Sequence, residues 1–166
     1  MEVSAPNFLL SFVAALIVHE LGHFVAARLC KVSISEVGLG WGPTLLSTRG
    51  RGMDYRLRLI PIGAYVKMDM VTLQRRTLVQ QLFVLLAGIM VNLILGTLAF
   101  GTFFGTINLA LAVGNLFPIY QHDGWKVGMV ISRQIFKRPV PIIEWSFTIS
   151  AGLIAFGLVA LILASL

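Results

Sequence analysis

Three ionisable side chains, His19, Glu20 and His23, interrupt the otherwise apolar run LIVHELGHFVAARL at residues 16–29. The two histidines are four apart, so on a helix they share one face. Two imidazoles at that spacing can bind one zinc ion, and HExxH is the known pattern for it. Glu20 stands beside the first of them, where a carboxylate can take a proton from a water activated by the metal. Gly22 leaves room on the helix for something to approach. Each ionisable group costs a few kcal/mol inside a membrane span, so a cluster of three points to use. The plainer reading is a satisfied polar cluster, a proton relay or a helix–helix contact.

A catalytic zinc takes three protein ligands and keeps one position open. The acidic residues are Glu2, Glu20, Glu36, Asp54, Asp69, Asp123 and Glu144. Of these, Asp123 alone falls well inside an apolar segment away from the first one. It precedes Lys126 as His23 precedes Arg28, about one helical turn from a basic boundary in each case. Asp123 is the best candidate on that geometry, and its neighbour His122 is the alternative ligand. In GNLFPIYQHDG, Pro118 removes a backbone donor and clashes with the carbonyl of Gly114. Gly124 follows the acid directly. A helix broken here would let Asp123 turn inward, and broken helices at membrane depth are tolerated where they line a cavity.

The elements that must position these groups follow from composition. Of 166 residues, 57% are hydrophobic and 12% charged, with a mean hydropathy of +0.88. A soluble domain carries about 25% charge, so this is a membrane chain. Four apolar segments stand out: Phe8 to Leu29, Leu78 to Phe104, Ile107 to Val130 and Ile142 to Leu166. Each has roughly the 20 residues a bilayer demands. The expected fold is a single all-α polytopic membrane domain over 1–166 with about four transmembrane helices. The N-terminus lacks the basic segment of a signal peptide, so residues 8–29 read as a retained span. The lone Cys30 excludes an internal disulfide and a cysteine-based metal site.

The net charge is +6, and its distribution reads as topology and contact with anionic lipid rather than as nucleic-acid binding. Nine of the thirteen Lys and Arg fall from Arg28 to Arg76, and the others are Lys126, Arg133, Lys137 and Arg138. The positive-inside rule puts the first and third connections in the cytoplasm and both termini outside. The connection from 31 to 77 is more than a loop. In MDYRLRLIPIGAYVKM, Met53, Tyr55, Leu57 and Leu59 alternate with Asp54, Arg56 and Arg58, the period of a half-buried strand. With the upstream VGLGWGP it suggests a small β-hairpin or sheet dipping into the membrane edge between the first two helices. An ordinary cytoplasmic hairpin is the alternative. Gly101 and Gly105 form a GxxxG, a pattern that can mediate homo-oligomerisation.

Taken together, these motifs resemble the site-2 protease family of intramembrane zinc metalloproteases, in its bacterial form. HELGH matches the first family motif. NLFPIYQHDG, with Asn115, Pro118, Asp123 and Gly124, matches the second, N-x-x-P-x-x-x-x-D-G. AGIMVN, with Gly88 and Asn92, looks like the small-residue-plus-Asn motif of the intervening span. GWGP and RLIPIGAYVKM look like the membrane-dipping hairpin, and KRPVP is also similar to family sequences. Two positions depart from the pattern: His122 stands where an apolar residue is frequent and Trp125 where a second Gly is. Many relatives carry a PDZ domain between the second and third core spans, and that connection is almost absent here, so the expectation is a minimal core enzyme.

The resemblance implies one zinc per chain held by His19, His23 and Asp123, with Glu20 as catalytic acid and base. It implies that Asn92 and Asn115 help hold substrate backbone or a catalytic oxygen. The implied activity is hydrolysis of peptide bonds within or near transmembrane segments, as in regulated intramembrane proteolysis, in the bacterial plasma membrane with the active site near the cytoplasmic face. The partners expected are a transmembrane protein substrate and membrane lipid. A helical substrate must be extended before attack, and the strand around Tyr55 to Tyr65, with Tyr55, Leu57 and Leu59, offers an edge to which it could add. The rival readings are a metal or proton transporter using the same groups and a catalytically silent zinc-binding scaffold.

Overall fold

The computed structural model describes residues 5–119 and 121–137, with scattered positions from 141 to 157. The chain forms two compact units, 1–113 and 114–166. In order the elements are α1 (Ala5–Leu29), β1 (Ile34–Gly50), β2 (Met53–Met68), α2 (Met70–Gln74), α3 (Leu78–Leu98), α4 (Phe103–Leu116) and α5 (Asp123–Phe136).

In the first unit α1 and α3 are long and apolar enough to cross a membrane. Their apolar side chains largely point outward: Leu10, Val79 and Leu98 are 72%, 75% and 80% exposed. A soluble core helix would bury such residues, whereas lipid is the natural neighbour of an apolar outer face. α1 ends where Lys31 takes a left-handed conformation and the Val32 N–H bonds back to the Ala27 carbonyl at 2.8 Å, a glycine-free relative of the usual helix stop. α3 starts on a capping box, with Thr77 and Gln80 satisfying each other's backbone N–H. α1 and α3 lie against each other through Gly22, where a Cβ would stand 2.8 Å from the Ala87 carbonyl oxygen. That fills the room which Gly22 leaves on α1.

The sheet expected between the first two helices is present as a two-stranded antiparallel pair, β1 and β2. It is longer than the sequence pattern suggested, because the polar stretch through Thr44–Gly50 also adopts the extended form. Both strands bend. The end of β1, Thr44–Gly50, pairs with Met53–Arg58 around a turn in which Arg51 and Gly52 have positive φ. The start of β1 has partners on both sides: Ile34–Leu39 face Ala64–Met68, and Glu36–Leu39 also face Asp54–Leu57. Tyr55 and Leu57 therefore lie inside the sheet. Tyr55 faces both Val37 and Thr48, and Leu57 faces both Leu39 and Leu46. Within the stretch from Tyr55 to Tyr65 expected to offer an edge, Tyr55 and Leu57 are paired on both sides, and the one-sided pairing among the described residues falls at Ala64–Met68.

The expected third span, Ile107 to Val130, is not one helix. α4 stops at Leu116 and α5 begins at Asp123, with Pro118 between them and Gln121 at positive φ. Each has 14 residues, about 21 Å at 1.5 Å per residue, short of the roughly 30 Å hydrocarbon core. The second span ends at Leu98 rather than Phe104, because the chain turns at Gly101, whose φ is +82°. Gly101 thus lies in a turn, and Gly105 is buried against the carbonyls of Gly96 and Ala99. The pair presents no helical GxxxG face, so it gives homo-oligomerisation no support. Of the four spans expected, two are present as helices of spanning length among the described residues, and the fourth segment, Ile142 to Leu166, lies largely outside them.

Candidate metal centre

His19 and His23 project from one face of α1 and are both 3% exposed. Their Nε2 atoms stand 3.2 Å apart. Neither ring is left to rotate. His23 Nδ1 is 2.8 Å from the Val84 carbonyl oxygen, which can only accept, so Nδ1 carries a proton and, in the neutral ring, Nε2 keeps its lone pair. His19 Nδ1 is 3.2 Å from Asn92 Nδ2. Both partners belong to α3, so the side of each ring away from the shared point is anchored by the neighbouring helix. An acceptor such as the Val84 carbonyl orients a histidine ligand and raises its basicity.

Between Val84 and Asn92 on the same face of α3 lies Gly88. A Cβ there would stand 2.5 Å from His23 Nε2 and 2.7 Å from His19 Nε2. A side chain of any size would occupy the space into which the two nitrogens converge, and glycine keeps it open. Two anchored imidazoles converging on a space that a single Cβ would fill fit a zinc site, whose preferred ligands include neutral imidazole.

Glu20 points to the other side, toward the sheet. Its Oε2 accepts from the Val66 N–H at 2.9 Å, on the edge segment of β2. It borders a largely apolar cavity of about 440 Å³, lined also by Ile17, Phe24, Tyr55, Leu57 and Val66. Tyr55 and Leu57 thus lie beside Glu20 through their side chains rather than through a free backbone edge. Leu59, 55% exposed, is not in the lining.

The second unit holds the other group of polar residues singled out in the sequence. Asp123 is the first residue of α5, 4% exposed, with its Oδ1 2.9 Å from Lys126 Nζ. His122, the N-cap residue, is half-buried. Gly124 lies directly against the carbonyl oxygens of Leu116 and Phe117, so the break at Pro118 folds the end of α4 back over the start of α5. Asn115, in the last turn of α4, is half-buried.

Sequence reasoning missed the backbone atoms in this arrangement. The Val84 carbonyl and the Val66 N–H carry no residue-type signal. It also missed a polar cluster in the sheet. The Tyr65 hydroxyl donates to Glu36 Oε1, Arg58 donates to the same hydroxyl from Nε and Nη2 at 3.2 and 3.0 Å, and Arg56 lies 3.4 Å from Glu36. The signal available was Glu36 in an apolar strand opposite alternating arginines.

The model for peptidase family M50, the site-2 protease family, matches residues 7–104. That range contains HELGH and AGIMVN, and Asp123 lies beyond it. A provisionally named zinc metalloprotease of Clostridium acetobutylicum is 37% identical over 100 residues, 55% of this chain and 30% of that protein. A similarly named protein of Campylobacter jejuni is 30% identical over 133 residues, 71% of this chain and 36% of that one. A protein of Enterococcus faecalis, provisionally named a protease, is 40% identical over 63 residues, 37% of this chain and 15% of that one. The chain thus spans about a third or less of the length of these relatives. The family model covers most of the first unit, including both anchored histidines and the helix that anchors them, and the chain belongs to peptidase family M50.

Proposed function

We propose that this chain is an intramembrane zinc metalloendopeptidase that hydrolyses peptide bonds within or near the transmembrane segments of other membrane proteins. The observation that carries the reading is the pair of buried imidazoles on an apolar helix, each anchored at Nδ1 by α3 and facing the space kept by Gly88. Family membership supports it.

One zinc per chain would be held by His19, His23 and Asp123, the last assigned through the N-x-x-P-x-x-x-x-D-G motif and its burial at the head of α5. A bound zinc supplies Lewis acidity, polarising a carbonyl and acidifying a water. Glu20 would take a proton from the attacking water on a carboxylate oxygen and pass it to the leaving amine. The Val66 N–H fixes one of its oxygens. The apolar cavity beside Glu20 receives the substrate segment, with Tyr55 and Leu57 in its wall, and excludes bulk water. Extended substrate adds to the Ala64–Met68 edge through main-chain bonds, so selection rests on helix-breaking residues more than on side-chain identity. Asn115 contributes a polar group to substrate backbone. The sheet and the active site lie toward the cytoplasmic face, with anionic lipid against the basic margins, a reading that the charge distribution supports.

The test is cleavage of a single-span membrane protein by the purified chain in detergent, with zinc content measured for wild type, Glu20→Gln and Asp123→Asn. The reading requires cleavage by wild type alone, zinc retained in Glu20→Gln and zinc reduced in Asp123→Asn. Bound zinc without cleavage would favour a silent scaffold. A wild type that binds no zinc would overturn the metal assignment and return the transporter reading.

A further inference from the structure

We infer that the apolar cavity beside Glu20 continues along α1 into a trough walled by Arg28, Lys31 and Arg51, and that this trough selects substrates with an acidic residue about four positions from the scissile bond. The inference rests on the proteolytic reading proposed above and names the substrate class its site would take. Selection at the cut itself stays loose, and the trough adds a charge requirement beside it.

Three cavities lie end to end on this side of the first unit. The one beside Glu20 shares Phe24 and Tyr55 with a second of about 390 Å³. The second shares Arg28, Arg51 and Met53 with a third of about 410 Å³, which Lys31 and Ser33 also line. Glu20, Phe24 and Arg28 are spaced by four, so one stripe of α1 runs along the whole path. The hairpin supplies the facing wall, from Leu57 through Tyr55 and Met53 to Arg51. From Glu20 to Arg28 the helix rises about 12 Å, at 1.5 Å per residue. An extended peptide covers that distance in about four residues, at roughly 3.3 Å each.

The charges of the trough have no acid of their own. Asp54 pairs with Arg49 and Arg56, and Glu36 with Arg56 and Arg58. Among the described residues Arg28, Lys31 and Arg51 take part in no ion pair, and all three are exposed. Lys31 and Arg51 also have positive φ, 55° and 51°, a conformation that glycine or asparagine adopts at less cost. Topology asks for positive charge somewhere in this connection, and it does not ask three cations to converge on one hollow. An anionic group does, and a carboxylate fits the guanidinium fork of either arginine. The other end of the path decides between a peptide and a lipid. An acyl chain drawn along it offers the Glu20 carboxylate nothing, whereas a peptide brings its backbone N–H groups.

The experiment uses the full chain in zwitterionic detergent without lipid. Single-span test substrates carry Asp, Asn or Lys at each of roughly two to seven residues from the cut, on either side. Cleavage is compared for wild type, Arg28→Glu and Arg51→Glu, with Arg75→Glu as an equal charge change outside the trough. Wild type should cut the best-placed Asp substrate with a kcat/KM about tenfold above its Asn counterpart, which is about 1.4 kcal/mol and the scale of two partly exposed ion pairs. Each trough variant should bring the ratio of Asp to Asn toward one and raise that of Lys to Asn, a change of order that misfolding does not produce. Arg75→Glu should keep the wild-type order. Equal rates for Asp and Asn at every position in wild type, or an Asp preference undiminished in both trough variants, would overturn the inference while leaving the protease standing. Cleavage indifferent to substrate charge but raised by added phosphatidylglycerol, with the rise lost in Arg28→Glu, would overturn it in favour of a lipid headgroup. Binding of the same substrates to Glu20→Gln, read by fluorescence anisotropy, tests the preference without hydrolysis. An Asp preference in binding with no cleavage by wild type would keep the acid-selective trough and refute the proteolytic reading, and no preference in binding would refute the trough.

Discussion

Replacing Gly88 by alanine adds one methyl group and should abolish useful zinc binding. The added Cβ would lie 2.5 Å from His23 Nε2 and 2.7 Å from both Cε1 and Nε2 of His19, whereas ordinary contact begins near 3.4 Å. The rings would have to retreat by about 0.7–0.9 Å. They are not free to do so, because Val84 holds His23 from behind at 2.8 Å and Asn92 holds His19 at 3.2 Å. Metal–ligand distances tolerate about ±0.2 Å, so the displacement is several times what a zinc site absorbs. Losing a mere orienting partner costs roughly 10–100-fold in affinity. Moving both ligands should cost more than about 100-fold, or about 2.8 kcal/mol at 1.4 kcal/mol per tenfold.

The assay is zinc competition on the purified chain beside its thermal unfolding without metal. Overpacking costs typically about 1–3 kcal/mol, so some loss of metal-free stability is expected as well. Gly114→Ala is the control. It also adds one methyl in a helix, where a Cβ would meet nothing within 4 Å, and it should bind zinc as wild type does. Wild-type affinity in Gly88→Ala would show that the nitrogens do not converge over Gly88 and would refute the reasoning about the cradle.

The sheet should show its own pH dependence. The Tyr65 hydroxyl, followed by the charges of Arg56, Lys67 and Arg58, holds the Glu36 carboxyl below its ordinary range against the cost of burial. A depressed carboxylate stabilises above its unfolded pKa of about 4.3 and loses that contribution as pH falls through the lower folded value. Unfolding measured against pH should therefore show an acid limb that Glu36→Gln flattens; an unchanged limb would show that Glu36 is not its source. Burial, and then the bond to Glu36, raise Tyr65 above 10.0, so its contribution is present below that pH and lost as pH rises through the folded value. Val66→Pro removes the N–H that holds Glu20 at an edge position where proline is tolerated. Cleavage should fall by up to about 100-fold, the cost of a misplaced group, with zinc content unchanged; undiminished cleavage would show that the bond orients nothing.

The chemistry was legible in the sequence where it depended on residue type and local spacing. His19, Glu20 and His23 announce themselves because polar groups in an apolar helix are costly. The break at Pro118 was visible because proline cannot continue the helix, although the length test still read residues 107–130 as one span. Hydropathy windows average over a turn as short as Ala99–Thr102 and over the gap between α4 and α5, so they do not locate these breaks. The alternation of Met53 to Leu59 identified a strand but not its neighbours. Side-chain period says which face is buried, whereas the register shows Tyr55 with partners on both sides. Contacts made by backbone atoms left no trace in composition at all.

The HExxH sequence on α1 is not by itself a centre. Each of its three polar side chains is held by an atom from outside the helix: His23 by the Val84 carbonyl, His19 by the Asn92 amide and Glu20 by the Val66 N–H. Val84, Gly88 and Asn92 are spaced by four and present one stripe of α3, so a single helix face supplies an acceptor, a void and an amide in succession along the two imidazoles. Gly22 on α1 permits the approach that brings this stripe within reach. A chain with HELGH on α1 but a bulky residue at position 88 would keep the motif and lose the space its nitrogens face. It follows that the α3 stripe, and not the α1 motif alone, should separate metal-binding members of this architecture from those that only resemble them.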